Sequence, residues 1–304
     1  MNSFKSQKKI VDQILEINIK QVESKQFREC LNYSIFGGKR LRPIIIMEMC
    51  AKLDVSQQCR DKLILLVEYL HCASLILDDL PSMDNDTLRR GIPTFHTKYG
   101  VRSAYIIANY MINKSLVSLM NIVNNTTNLY ETHLLTKIAS MVFMNNNFTS
   151  VGQMVDLCGY KNIENVKYRQ IIDLILSNKL ILNIANSILN DDKNLMEKVI
   201  LLNLKTYPLF YLSFQLPLLL SKNESIKIST DDIQYMSFIF SLCFQIADDF
   251  EDVDKDSTSF ILLLGKDKAK ELYNFCVNEF NKHIKYLKIP MFTYVFNMLN
   301  KKIH

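Results

Sequence analysis

The chain has 304 residues, 48% of them hydrophobic, and a formal net charge of +5 at pH 7. That is apolar material for a large core. The positive charge is spread along the sequence as a solvated lysine-rich surface, which excludes the dense basic patch with interleaved aromatics that nucleic-acid binding requires.

Helices are expected, in chain order, near 4–29, 31–50, 60–80, 100–122, 130–148, 150–157, 164–190, 194–221, 230–253, 260–288 and 290–302. A 3.6-residue apolar period runs through most of them, so the fold class is all-α, a helix bundle whose central helices are apolar nearly all round. Gly totals 7 and Pro 6, too few for the regular turn signals of a strand-rich fold. Length alone suggests about two domains, yet no Gly/Ser-rich or Pro-rich linker divides the chain, and residues 1–304 read as one domain. Pro81 should end its helix, because it lacks an amide donor and its ring crowds the preceding turn. Loops or turns are expected at Gly91-Ile92-Pro93, Asn124-Asn125, Asn145–Asn147 and Asn190-Asp191-Asp192. The segment MNSFKSQKKIVDQILEINIK has no apolar signal-peptide core, and the 7 Cys form no CxxC pair, so a reduced, cytoplasmic protein is expected. The apolar stretches near 63–77 and 207–220 are too short, or are interrupted by Glu68 and His71, to be transmembrane segments.

Two acidic clusters stand out, DDLPSMD at 78–84 and DDFED at 248–252. Each ends or interrupts a strongly apolar helical run, and basic segments GGKRLRP (37–43) and LRRG (88–91) flank the first. Asp248 and Asp252 fall one helical turn apart on one face, where two like charges repel unless a cation sits between them. Asp78 and Asp79 follow LILLVEYLHCASLIL, and burying carboxylates against Leu75, Ile76 and Leu77 is expensive without a counter-ion. A regular helix would separate Asp84 from Asp78; a bulge at Pro81-Ser82 would not. Taken alone, the second cluster is equally a polar helix terminus. A Ca²⁺ loop over Asp252, Asp254 and Asp256 fails, with Ser257 where Gly is needed and Leu263 where the bidentate Glu is needed. Together, with their basic neighbours, the clusters read as Mg²⁺ ions clamped around a diphosphate, since Mg²⁺ takes a few carboxylates plus substrate phosphate oxygens and Lys or Arg neutralise the remaining charge. Lys39 or Arg42 alone would more often be a surface charge, His71 alone more often a satisfied core histidine, and Lys205 alone a solvated helix lysine; their joint placement with the aspartates changes that reading.

The chain resembles the trans-isoprenyl diphosphate synthases of the polyprenyl synthetase family. FGGKRLRP, HCASLILDDLPSMDNDTLRRGIPTFHTKYG, GQMVDL (152–157), LKTYPLF (204–210) and CFQIADDFEDV (243–253) occur in the family's order, from about residue 30 to 275. The resemblance implies an isoprenoid-synthase helix bundle around a deep central cavity. It makes Asp78, Asp79, Asp84, Asp248, Asp249 and Asp252 the carboxylates for three Mg²⁺ ions. Lys39, Arg42, His71 and Arg90 match the pocket for isopentenyl diphosphate, and Arg89 and Lys205 match residues that hold the allylic diphosphate. Thr206 and Gln245 match groups beside the developing allylic cation, and Lys255 stands in for a later lysine of the family. The chain departs from the family at Leu77, where His is usual, at Ala108-Asn109, where Gly-Asp is usual, and in extra residues at about 160–195 that read as an inserted helical segment.

The implied reaction is Mg²⁺-assisted head-to-tail condensation of an allylic diphosphate with isopentenyl diphosphate, by ionisation, condensation and elimination, in a homodimer. Ala73 and Ser74, five and four residues before Asp78, are small. Bulky aromatics at this level stop chain growth at farnesyl length in the family, so a geranylgeranyl-length or longer product is expected, with Tyr69 and Leu70 as its floor. Two rival readings are a non-catalytic regulatory subunit, motivated by Leu77 and Asn109, and a class I terpene cyclase. Cyclases usually carry an Asn/Ser/Glu triad where this chain has DDFED.

Overall fold

Serine, asparagine and aspartate caps and glycine breaks cut the chain into shorter helices than its apolar period suggests. The structure is a computed structural model that describes residues 2–122, 129–158, 166–223, 225–251, 258–285 and 287–303. The chain forms two compact units: Met1–Ala139 with Leu216–Asn223, and Ser140–Gln215 with Glu224–His304.

In the first unit, α1 (Asn2–Lys20) and α2 (Lys25–Ile35) replace the single helix expected at 4–29. Ser24 causes the break: its hydroxyl accepts from the Phe27 N–H, a cap worth about 1 kcal/mol. The helix expected at 31–50 is likewise two, because the chain opens at Gly37-Gly38 before α3 (Leu41–Lys52). Ser56 caps α4 (Gln57–Asp78), whose Leu63, Ile64, Leu66, Val67 and Ala73 are fully buried. Truncating such a Leu or Ile to Ala removes about 2–5 kcal/mol. The helix α4 stops before Pro81. It packs on α3 and on α6 (Val101–Met120), which follows a two-residue hairpin, β1 (Leu88–Arg89) with β2 (Ile92–Pro93), and α5 (Phe95–Tyr99). Arg90 and Gly91 turn the hairpin with φ of 54° and 78°.

A single helix, α7 (Leu129–Cys158), replaces the two expected at 130–148 and 150–157. The asparagines read as a turn do not break it: the Asn145 amide donates to the Met141 carbonyl, and Thr149 Oγ1 donates to the Asn145 carbonyl, so side chains bond back along the helix instead of opening it. The helix expected at 164–190 splits into α8 (Val166–Leu176) and α9 (Lys179–Ile188) at Asn178, whose side chain accepts from the N–H groups of Leu180 and Ile181. Asp192 caps α10 (Lys193–Asn203); Leu204–Thr206 separate it from α11 (Tyr207–Leu219) where one helix over 194–221 was expected. Then come α12 (Thr230–Glu251), α13 (Phe260–Leu264), α14 (Lys266–Ile284) and α15 (Met291–Ile303), with Gly265 at φ 80° dividing the helix expected at 260–288. The core of this second unit is aromatic. Phe214 stacks on Phe292 at 5.6 Å, and Phe280 meets Phe292 at 4.8 Å and Phe240 at 5.3 Å, joining α11, α12, α14 and α15. Among the described residues no single helix is long and apolar enough to cross a membrane.

Candidate active site

The first cluster is built at the C-terminal end of α4. The backbone folds back after Leu80, so that the Asp84 N–H donates to the Asp78 carbonyl at 3.0 Å, and the Asn85 N–H to that of Leu80. This is the bulge that Pro81-Ser82 called for. Asp79 is 3% exposed, and Arg89 Nη2 sits 2.5 Å from its Oδ1 with Nε at 2.6 Å. Burial pushes the Asp79 carboxyl up from 3.8, against the opposing pull of Arg89. Asp79, Arg89 and Arg90 share the wall of one open cleft, whose apolar side includes Leu75, Ile76 and Phe95.

The basic residues gather around His71. Burial lowers its pKa well below 6.5, and Arg42, Arg90, Arg89 and Arg40 lower it further, so the ring is neutral near pH 7. Lys39 is exposed, Arg42 half-buried, and Arg90 donates from Nη1 to the Phe36 carbonyl at 2.8 Å across the glycine loop. Ala73 is fully buried, Ser74 donates to the His71 carbonyl, Leu70 is buried, and Tyr69 is fixed by its hydroxyl on Asn18 Oδ1 of α1 at 2.8 Å. Leu77 is half-buried one residue before Asp78, Ala108 is buried in α6, and Asn109 is exposed.

The second unit holds the other motifs. Lys205 Nζ lies 2.6 Å from Asp156 Oδ2, and Gly152 lets the main chain at Lys205 pass close by: a Cβ there would lie 2.2 Å from the Lys205 backbone nitrogen. The Thr206 N–H donates to the Asn203 carbonyl in the turn that presents both residues. Gln245 is half-buried on α12. Its Oε1 and the Gln153 Nε2 are buried without a hydrogen-bond partner among the described residues, as expected of polar groups kept for a ligand. Asp248 pairs with Lys302 of α15 at 2.5 Å, and the same ammonium reaches Glu251. Asp249, 6% exposed, accepts from the Phe260 N–H at 2.6 Å, which draws the chain back onto α12 after the cluster. Asp252 and Lys255 lie outside the described residues.

Among the described residues no three His, Cys, Asp or Glu groups converge as a metal cage. The donor set nevertheless fits Mg²⁺, which asks for hard oxygens and completes its shell with water and phosphate oxygens rather than an all-protein cage. Several residues with a part in these contacts were not among those the sequence singled out. Arg40, Gln153 and Asp156 lie inside GGKRLRP and GQMVDL, so their motifs were visible although their roles were not. No sequence signal links Lys302 to Asp248.

The polyprenyl synthetase family model matches residues 24–285. The chain is 27% identical over 278 residues to the chloroplastic geranylgeranyl pyrophosphate synthase of Capsicum annuum, which covers 86% of this chain but only 66% of that enzyme. In structure it is similar to a geranyltranstransferase from Thermotoga maritima, with a TM-score of 0.77 at 20% identity over 98% of this chain and 99% of that one. It is also similar to a geranyltransferase from Helicobacter pylori complexed with magnesium and isoprenyl diphosphate, with a TM-score of 0.67 at 24% identity over 96% and 95% of the two chains. The protein is thus an all-α protein with the isoprenoid-synthase fold. The chain belongs to the polyprenyl synthetase family.

Proposed function

We propose that the chain is a trans-prenyltransferase that joins isopentenyl diphosphate to an allylic diphosphate such as dimethylallyl, geranyl or farnesyl diphosphate. The observation that carries this reading is the first unit's cluster: buried Asp79 on Arg89, with Arg90 in the same cleft and a neutral His71 under the field of four arginines. A site this cationic calls for an anion, and diphosphate is the ligand whose charge and bidentate oxygens suit it.

Lys39, Arg42, His71 and Arg90 bind the diphosphate of isopentenyl diphosphate; His71, neutral, donates one ring N–H. Arg89 and Lys205 leave Asp79 and Asp156 to hold the allylic diphosphate. Asp78, Asp79 and Asp84 of the first cluster, and Asp248, Asp249 and Asp252 of the second, hold Mg²⁺, three ions in all. When bound, Mg²⁺ neutralises the diphosphate as it departs from the allylic carbon. The side-chain oxygens of Thr206 and Gln245 stabilise the allylic cation; the double bond of isopentenyl diphosphate attacks it, forming the new carbon–carbon bond and a tertiary cation, which loses a proton from its adjacent carbon to the departed diphosphate and so forms the product's double bond. The protein therefore contributes placement, charge stabilisation and exclusion of water, and needs no nucleophile.

Buried Ala73 and the small Ser74 support a product of geranylgeranyl length or longer, with Tyr69 and Leu70 as its floor. A homodimer is supported by the apolar side chains that α6 leaves outside, Ile106 at 58% and Val117 at 54% exposed. Radiolabelled isopentenyl diphosphate incubated with farnesyl diphosphate and Mg²⁺ is expected to enter an extractable prenyl product. Folded protein with no product from any allylic primer overturns the reading. Ala73→Phe is expected to shorten the main product by at least one isoprene unit; an unchanged length removes the chain-length assignment.

A further inference from the structure

Of the four arginines around His71, Arg40 faces inward. It is 5% exposed, and all three of its guanidinium nitrogens are engaged: Nε with Asp12 Oδ1 at 2.7 Å, Nη1 with Glu68 Oε1 at 2.7 Å, and Nη2 with the Ile35 carbonyl at 2.5 Å. Its backbone is left-handed, φ 61° and ψ 27°, a conformation that a side chain with a Cβ keeps only when its surroundings enforce it. That inversion turns Arg40 into the protein between exposed Lys39 and half-buried Arg42.

The glycine loop is moulded on this guanidinium. A Cβ at Gly38 would lie 2.1 Å from Arg40 Nη1 and 2.9 Å from its Cζ, so a side chain at position 38 and the arginine cannot coexist as placed. The same Cβ would lie 3.3 Å from Arg90 Nη1, which reaches over the loop to the Phe36 carbonyl. Two guanidiniums thus crowd the space that a side chain at position 38 would need. The inner one is neutralised by Glu68 and Asp12, so it holds the loop without adding an uncompensated charge to the anion site.

We propose that Arg40, clamped by Glu68 and Asp12, is a positioning residue: it sets the Phe36–Arg40 loop so that Lys39, Arg42 and Arg90 present a single surface to the diphosphate of isopentenyl diphosphate. The inference rests on the assignment of those three cations to that pocket. Arg40 itself touches no substrate.

Three variants test it: Gly38→Ala, which displaces the guanidinium, Asp12→Asn, and the double variant Arg40→Met/Glu68→Met, which removes the buried pair while keeping apolar volume. Each is expected to raise KM for isopentenyl diphosphate, on the order of tenfold for Gly38→Ala and the double variant and less for Asp12→Asn, with KM for farnesyl diphosphate near that of the parent. Calorimetry with inorganic pyrophosphate in place of substrate is expected to show the matching loss of affinity. Because calorimetry needs no turnover, a parent protein that binds pyrophosphate but condenses nothing counts against the proposed reaction and not against the loop. If the double variant does not fold, Gly38→Ala and Asp12→Asn decide. Folded variants with the parent's KM and pyrophosphate affinity, or with both substrates' KM raised equally, overturn the positioning role.

Discussion

Asp79, in the first cluster, is 3% exposed and takes its counter-charge from Arg89, ten residues further along the chain. Asp248, in the second, is 41% exposed at its side chain and takes its counter-charge from Lys302, 54 residues away on α15. The first arrangement is local: a helix end, a bulge and a two-residue hairpin bring a carboxylate and a guanidinium together within one short segment. The second is assembled from distant parts, with α15 supplying Lys302 and the segment after the cluster supplying the Phe260 N–H to Asp249. Burial also differs, so the same kind of ion pair has different energetic weight at the two places. An exposed pair is screened and worth about 0–1 kcal/mol, whereas removing one partner of a buried pair leaves a charge with nowhere to go.

The largest expected effect removes that contrast. Asp78→Ala and Asp248→Ala should each lower kcat by about 10²–10³-fold or more, the scale of losing one strong electrostatic contact to the transition state. Thermal melting should stay within a few degrees of the parent. If either variant keeps full turnover, its cluster has no part in catalysis.

Next is Glu68→Ala, which leaves Arg40 buried on a single partly exposed carboxylate. It should reduce unfolding free energy by about 3–5 kcal/mol in a urea titration. A loss under about 1 kcal/mol would place Arg40 in contact with water.

The Arg89→Met variant sharpens the comparison through pH. Burial already holds the Asp79 pKa above 3.8, and removing Arg89 takes away the chief pull in the other direction. A carboxyl whose folded pKa is raised binds more protons folded than unfolded, so it favours the native state below about pH 3.8 and loses that contribution as pH rises through the folded value. The destabilisation caused by Arg89→Met should therefore be larger at pH 7.5 than at pH 4.5, in parallel urea titrations. Equal losses at both pH values would mean Asp79 finds another counter-charge.

The smallest effect is expected of Lys302→Met, about 1 kcal/mol or less, since the carboxylates it leaves, Asp248 and Glu251, keep 41% and 59% of their side chains exposed and stay within reach of water. Amide exchange in the last turn of α15 should quicken while the aromatic core of α12 and α14 stays protected. Loss of protection throughout α15 would show that this ion pair anchors the whole helix.

Sequence and structure agree most closely where the physics is local. The helical class follows from the 3.6-residue apolar period and the shortage of Gly and Pro. The end of α4 before Pro81 follows from the missing amide and the ring clash, and the reapproach of Asp84 to Asp78 from the same proline. Helix boundaries were less legible. Asn145–Asn147 and Asn178 are the same residue type, yet the first group lies inside α7 with Asn145 bonded back to Met141, and the second caps α9. Which outcome prevails depends on whether the preceding turn or the following one offers the free partner, and the sequence does not record it.

By itself, then, the sequence determined the residue types of the site, the acid clusters and their basic companions, because carboxylates after apolar runs demand cations and diphosphate demands arginine. Only the tertiary structure decided which cation serves which carboxylate: Arg89 for Asp79, Lys205 for Asp156, Lys302 for Asp248, and Arg40 turned inward to Glu68 beside an exposed Lys39. The physical reason is that charge pairing is set by distance and desolvation. Both are properties of the packed chain, and neither is carried by the order of residues along it.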